Sequence, residues 1–257
     1  MGRKSRDNGE STAALEIAGV RKSYGKQSIL RGVDLMLPAG SSLACVGING
    51  AGKTTLMKGI LNVLDLDGGT IRIYGRSHSE DVSREPLLFV PERFTPPSFM
   101  TGWEFLHHMA GLYGVDAIRE RVREHLDGLD LDPDAMNRRV ATYSKGMRQK
   151  LGLASALVSG RKLLMLDEPM SGLDPRSRVL FKRALNRQRQ SGVTLFFNTH
   201  MLADVEEVCD TMAILDGGSI RFHGTPSQCR ERFGASTLEE AFITCIETGS
   251  GDRHQES

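Results

Sequence analysis

The sequence predicts an α/β fold: a core with a mainly parallel sheet, an antiparallel β portion near the N-terminus and an inserted helical lobe. Three observations carry this prediction. From Lys162 onward strand-like and helix-like runs alternate, the order that lays strands parallel with helices between them. Ahead of Ser42 two β-prone runs are joined only by a turn. From Gly102 to about Ser159 the apolar residues fall at helical spacing instead.

Residues 1–10 are polar and poor in apolar side chains, so disorder is expected there and in the tail 248–257. Leu15, Ile17 and Val20, and then Ile29, Leu30, Val33, Leu35 and Leu37, read as two strands around the turn at Ser23 to Lys26. Ser42 to Val46 is a short β-prone run, after which Leu56, Met57, Ile60 and Leu61 recur at helical spacing. Thr70 to Tyr74, preceded by the turn Asp67-Gly68-Gly69, and Leu87 to Val90 are strand-like. Pro91, Pro96 and Pro97 then break regular structure. Phe105, Leu106, Met109 and Leu112 share one helical face, and Ile118, Val122 and Leu126 share another.

Beyond the lobe the expected order is strand Lys162 to Leu166, helix Pro175 to Gln190, strand Val193 to Asn198 and helix Leu202 to Cys209. Strands at Thr211 to Leu215 and Ser219 to Phe222 follow. Leu238, Phe242 and Ile246 place a small terminal helix at 236–247. The expected organisation is one domain over 11–247, with a core of 11–91 and 160–235 and a helical lobe of 92–159. No internal repeat or low-complexity segment is apparent.

The bulk numbers leave room for a real core: 257 residues, of which 39% are hydrophobic and 25% charged. A formal net charge of +1 and the lack of a basic stripe give no general attraction to nucleic acid or anionic lipid, so no nucleic-acid partner is expected. Cys45, Cys209, Cys229 and Cys245 are scattered without metal-ligand spacing, which fits a reduced, cytoplasmic protein. No apolar run approaches the roughly 18 residues that span a bilayer, and the N-terminus is not signal-like.

The stretch Gly47-Ile48-Asn49-Gly50-Ala51-Gly52-Lys53-Thr54-Thr55 fits the phosphate-binding pattern G-x-x-x-x-G-K-[ST] at every fixed position, between a strand and a helix as the motif requires. In such a loop backbone N–H groups surround phosphates, and the N-terminus of the next helix adds partial positive charge. Lys53 is then placed to reach the β- and γ-phosphates and Thr54 to hold Mg2+. Leu163 to Glu168 is a hydrophobic strand ending in two acids; Asp167 suits coordination around Mg2+ and Glu168 can face a water attacking the γ-phosphate. Ser144 is an N-cap by type, and the N–H groups of Gly146 and Met147 would make a second anion site at a helix N-terminus.

These stations together resemble the ATP-binding subunit of an ATP-binding cassette (ABC) transporter, over nearly all residues from Leu15 to about Glu247. The run Tyr143-Ser144-Lys145-Gly146-Met147 is similar to the family's signature motif, with Ser144 and Gly146 retained and a variation resembling export-type members. Ser171-Gly172-Leu173-Asp174 resembles the D-loop, His200 the switch histidine at the γ-phosphate, and Tyr24 the aromatic that stacks on adenine. Where the family usually carries Gln, this chain has Glu92, which either gives Mg2+ an oxygen ligand or pairs with Arg93 or another surface cation.

The resemblance implies a phosphate-loop NTPase core that hydrolyses ATP with Mg2+. It further implies a head-to-tail pair with a second ATP-binding subunit, in which Ser144, Gly146 and Met147 close the partner's site. It also implies a transmembrane permease subunit, so that the chain sits at the cytoplasmic face of the membrane, with export favoured. Phe94, Pro96, Pro97, Phe99, Met100 and Trp103 are apolar for a loop; they fit a permease contact or an inward anchor, with Trp103 leaning to the core. A soluble ABC-type ATPase acting on nucleic acid or ribosomes is the alternative. It would carry an inserted coiled coil or a second cassette, and neither occurs here. A phosphate-loop GTPase would need an Asn-Lys-x-Asp motif, which is also missing.

Overall fold

A computed structural model describes residues 13–115, 122 and 129–251. Two sheets organise it. The first is antiparallel, with strands β1 (Ala13–Tyr24), β2 (Gln27–Pro38), β4 (Gly68–Ile73) and β5 (Arg76–Ser77) in the order β2-β1-β4-β5. The second holds β3 (Ser42–Val46), β6 (Leu87–Val90), β7 (Leu163–Asp167), β8 (Thr194–Thr199), β9 (Thr211–Asp216) and β10 (Ser219–Gly224), in the order β10-β9-β3-β8-β7-β6. All neighbours in the second sheet run parallel except β10 against β9.

The central strands β3, β7 and β8 are buried along their whole length, as continuous apolar runs covered on both faces must be. Alternation divides their side chains between two cores. Ala44, Val46, Leu164, Leu166, Leu195 and Phe197 join the helical side. Leu43, Cys45, Leu163, Met165 and Phe196 join the side covered by the antiparallel sheet and by α1 (Lys53–Ile60).

The lobe contains α2 (Gly102–Tyr113) and α3 (Lys145–Val158), with short 3-10 turns at Ala135–Asn137 and Val140–Thr142 ahead of α3. Helical spacing alone suggested helix throughout, but here the backbone pairs elsewhere: Val140 donates to Met100 O at 2.8 Å, and Thr101 bridges Arg139. Thr101 and Glu104 form a capping box that starts α2. Phe105 and Leu106 are buried as expected and Met109 packs partly against the core, but Leu112 is 63% exposed, at the solvent edge of that face. Ile118 and Leu126 lie outside the described residues, whereas Val122 is buried.

Among the described residues the further helices are α4 (Pro175–Gln190), α5 (Leu202–Val208), α6 (Pro226–Phe233) and α7 (Leu238–Gly251). Helix α6 was not foreseen, although Thr225-Pro226-Ser227-Gln228 spells its start: Thr225 and Gln228 make a capping box with Pro at the first position. Helix α7 runs past the expected limit of 247, to Gly251, and Thr244 and Thr248 return their hydroxyls to carbonyls one turn back, at 3.0 and 2.8 Å. It starts at Leu238 because Thr237 accepts from Glu240 N at 3.2 Å, while Glu240 accepts from the N–H groups of Ser236 and Thr237. The disorder expected for 1–10, and for most of the tail after Gly251, falls outside the described residues.

Candidate functional site

Register sets the site. Val46 pairs with Thr199, and Asn198 pairs with Asp167, so β3, β8 and β7 end level at one edge of the sheet. Adjacent strands lie about 4.8 Å apart, which puts the loop after β3 about 10 Å from the tip of β7. That edge is the carboxyl end of parallel strands, where ligands bind in open α/β sheets.

The loop itself is shaped by glycine. Gly50 (φ +84°) and Gly52 (φ +110°) adopt left-handed backbone that side chains resist. Gly47 has a different reason, since a Cβ there would lie 2.4 Å from the Leu215 carbonyl oxygen of β9. Gly52 occupies the N-cap of α1 with no side-chain cap, so the first turn of that helix faces the loop uncovered. Lys53 is buried and donates to the carbonyls of Gly47 at 2.6 Å and Ile48 at 3.2 Å. Beneath the loop, burial pushes the Cys45 thiol up to about 12, with Lys53 opposing.

A cavity of about 340 Å3 lies over the loop. Asn49 to Thr55 form its floor, Tyr24, Gln27 and Ile29 one wall, and Glu92, Asp167 and Glu168 the other. Tyr24 is 51% exposed and pairs with Gln27 across the β1–β2 turn. Gln27 and Ile29 are lining residues that sequence reasoning missed. The available signal was their place on the strand opposite Tyr24, at alternate positions of one face.

The acids are held in different ways. Asp167 is the last residue of β7, and Asn198 Nδ2 donates to its Oδ1 at 3.0 Å. Burial holds its carboxyl above the usual range; the Asn198 hydrogen bond opposes this and the charge of Glu92 adds to it. Glu168 follows in left-handed backbone (φ +46°), with its N–H bonded to Asn198 O at 3.0 Å. The strand has therefore ended, and the side chain turns into the cavity instead of alternating away. Its Oε1 lies 2.9 Å from His200 Nδ1, and His200 is itself more than half exposed. Glu92 makes no ion pair among the described residues, with Arg93 or any other cation.

Other expected residues lie elsewhere. Ser144 caps α3 and accepts from Met147 N at 3.2 Å, so the Met147 N–H expected to face an anion is already engaged. Asp174 caps α4, accepting from Ser177 N at 2.9 Å and Ser177 Oγ at 2.5 Å. These bonds, with Lys150 nearby at 3.6 Å, bring its carboxyl down to about 2. Neither Ser144, Gly146, Met147 nor Asp174 lines the loop's cavity within this one chain. Gly146 lies against the Gly172 carbonyl, 3.4 Å from where a Cβ would stand.

Comparison with known proteins agrees with this geometry. Residues 30–171 match the family described as ABC transporter. An uncharacterised ABC transporter ATP-binding protein of Nostoc is 38% identical over 76% of this chain, and the chain spans 59% of that relative's length. The daunorubicin/doxorubicin resistance ATP-binding protein of Streptomyces peucetius is 34% identical over 90% of this chain and 71% of its own. Among solved structures, an ATP-binding subunit of an ABC transporter superposes with a TM-score of 0.84 at 29% identity, over 90% of this chain and 99% of that one. The phosphate loop, the paired acids at the tip of β7 and the shared α/β architecture agree with these matches: this chain belongs to the ABC transporter family, in its ATP-binding branch.

Proposed function

We propose that this chain is the ATP-hydrolysing subunit of an ABC exporter, in which 11–247 act as one ATPase domain. The observation that carries the reading is the single cavity that gathers Tyr24, the loop 49–55, Glu92, Asp167 and Glu168. Tyr24 offers an exposed ring for the adenine, worth about 1–3 kcal/mol per stacked base. The backbone of Gly47 to Thr55 and the N-terminus of α1 receive the phosphates, and Lys53 exchanges its own loop carbonyls for phosphate oxygens.

The donor set fits Mg2+: the Thr54 hydroxyl and the carboxylates of Asp167 and Glu92 are hard oxygen ligands. Asn198 takes one oxygen of Asp167 and leaves the other for the metal. When bound, the ion would neutralise charge on the β- and γ-phosphate oxygens. Glu168 polarises the attacking water, and His200 orients Glu168 through the 2.9 Å contact while reaching towards the γ-phosphate. Glu92 makes nucleotide affinity more dependent on Mg2+ than a neutral Gln would. Equal ATP affinity with and without Mg2+, in both wild type and Glu92→Gln, would remove this role.

Ser144, Gly146, Met147 and Asp174 stand outside the chain's own cavity, which supports a site completed by a second subunit placed head to tail. Ser144 Oγ then leaves Met147 N for the partner's nucleotide. The lobe surface beside Glu92 receives a transmembrane permease subunit, which holds the chain at the cytoplasmic face of the membrane. Phe94 stacks edge-on to Phe105 at 5.6 Å and anchors the loop inward, while Phe99 is 71% exposed and free to meet the permease. The export direction is supported by the resistance protein among the relatives.

The test is Glu168→Gln with ATP and Mg2+ in size-exclusion chromatography. Accumulation of an ATP-bound dimer is expected; a monomer that turns over ATP like wild type overturns the assignment of Glu168. Purification from gently solubilised membranes should bring a membrane-spanning partner with it.

A further inference from the structure

The chain makes the same excursion twice at the carboxyl edge of the sheet. Strand β7 ends at Asp167 and returns through Glu168 to α4, and β8 ends at Thr199 and returns through His200 to α5. The two excursions meet at the strand tips, where Glu168 Oε1 lies 2.9 Å from His200 Nδ1. They meet again between the helices. Lys182 Nζ of α4 lies 3.4 Å from Asp204 Oδ1 and 2.6 Å from Glu207 Oε1 of α5. Asn186 Nδ2 donates to Glu207 O at 3.3 Å, and Arg189 pairs with Asp210 just beyond α5. Because these rungs advance together along both segments, α4 and α5 run side by side in the same direction.

One rung differs from the others. The side chains of Glu207 and Asp210 are 58% and 40% exposed, whereas those of Lys182 and Asp204 are 10% and 3% exposed. Taking both charges out of water costs more than an apolar pair of the same shape would, and Asp204 Oδ2 is buried without a hydrogen-bond partner. Packing does not require such a pair, since the same two helices already bury Phe181, Leu185, Val205 and Val208 in one apolar core. What the charges add is alignment: apolar side chains can slide past each other, but neither buried charge can leave the other without standing uncompensated. That alignment reaches His200 through a short segment bonded at both ends. Asp204 N donates to Met201 O at 3.2 Å, and Met201 N donates to Thr199 Oγ1 at 3.0 Å, with His200 between them.

We propose that Lys182 and Asp204 are positioning residues for hydrolysis: their buried pair sets α5 against α4 and so holds His200 at Glu168. The role rests on the ATPase reading above, and neither residue lines the nucleotide cavity. Both act through His200 and touch neither nucleotide nor water.

The experiment measures steady-state ATP hydrolysis by the full chain with Lys182→Met, Lys182→Arg, Glu207→Gln, and Lys182→Met combined with His200→Ala. Lys182→Met is expected to lower kcat about tenfold with KM within about twofold, since a misplacement of about 1 Å can cost up to about a hundredfold. Lys182→Arg keeps the charge and should recover most of the rate. Glu207→Gln removes only the exposed contact and should stay within about twofold of wild type. In the His200→Ala background Lys182→Met should lower kcat no further, because nothing is left to position. A further loss of similar size there, or a change in KM with kcat intact, overturns the proposal. Lys182→Met with Asp204→Leu guards against a folding defect: it removes both charges and should unfold near or above the wild-type temperature while keeping the loss of kcat. Wild-type kcat in that variant would mean that packing suffices, and would also overturn the proposal. A readout without nucleotide separates this result from the ATPase reading. The His200 imidazole resonances, identified against His200→Ala, should move in Lys182→Met and in the double variant but not in Glu207→Gln; resonances unmoved in both overturn the proposal. If they move while the wild-type protein hydrolyses no ATP, the ATPase reading fails and the link from α4 to His200 stands.

Discussion

Two helix N-termini in this molecule are built on opposite plans. At α1 the capping position is Gly52, with no side chain to bond the first-turn N–H groups, and the loop before it lines the cavity. At α3 the capping position is Ser144, whose hydroxyl already accepts from Met147 N. An uncapped terminus is held ready for a ligand by backbone alone, whereas a capped one must first give up an internal bond worth about 1 kcal/mol. The difference teaches which half of the proposed composite site is preformed. The backbone N–H groups of the phosphate loop can bind as they stand, with only the Lys53 side chain leaving its loop carbonyls, whereas at the signature helix the backbone donor itself must exchange one acceptor for another.

The strongest way to break the comparison is through chemistry at the open end. Glu168→Gln should lower ATP turnover by about 10²- to 10⁴-fold, the usual contribution of a positioned base, while leaving ATP affinity near wild type. Steady-state hydrolysis and nucleotide titration together check this; a loss of affinity in place of turnover would count against it. Next in size is the rigidity of the open loop. Gly47→Ala drives a Cβ into the Leu215 carbonyl and should destabilise the fold by about 3 kcal/mol, at the upper end for overpacking. Denaturant unfolding would read it.

The capped end should respond less. Ser144→Ala should cost about 1 kcal/mol of stability, and it should also weaken ATP-driven dimerisation if Ser144 is redirected to the partner's nucleotide. Analytical ultracentrifugation separates the two effects. Smallest is the pH dependence of the neighbouring cap. The Asp174 carboxyl is held down to about 2 against an ordinary 3.8, so its stabilising contribution is complete above about 4 and is lost as pH falls towards 2. Asp174→Asn should therefore unfold with a flatter pH profile in that window, and identical profiles would remove the cap's role.

Much of this is legible in the order of the residues alone. The loop 47–55, the strand ending at Asp167 and the alternation after Lys162 are local patterns whose physics is complete within a few residues. What the pattern could not carry was who holds whom. That Glu168 bonds His200, that Asn198 fixes Asp167, and that Gln27 shares a wall with Tyr24 depend on strands distant in sequence being brought level by register. The lobe misled for the reciprocal reason. Helical spacing persists through residues 129–143, but backbone pairing of Val140 with Met100 outweighs it. The missed helix α6 is a different failure, because its Thr-Pro-x-Gln start is a local signal that was available to be read.

The thiol beneath the phosphate loop gives the molecule a built-in clock. With its pKa pushed up to about 12 by burial, Cys45 stays a neutral thiol at pH 7, and burial keeps alkylating reagents from the sulfur. It can react only when the core that covers it opens locally, so its alkylation, followed at that residue by peptide mapping, counts such openings. Nucleotide bound in the cavity above should slow that count by as much as it stabilises the folded core.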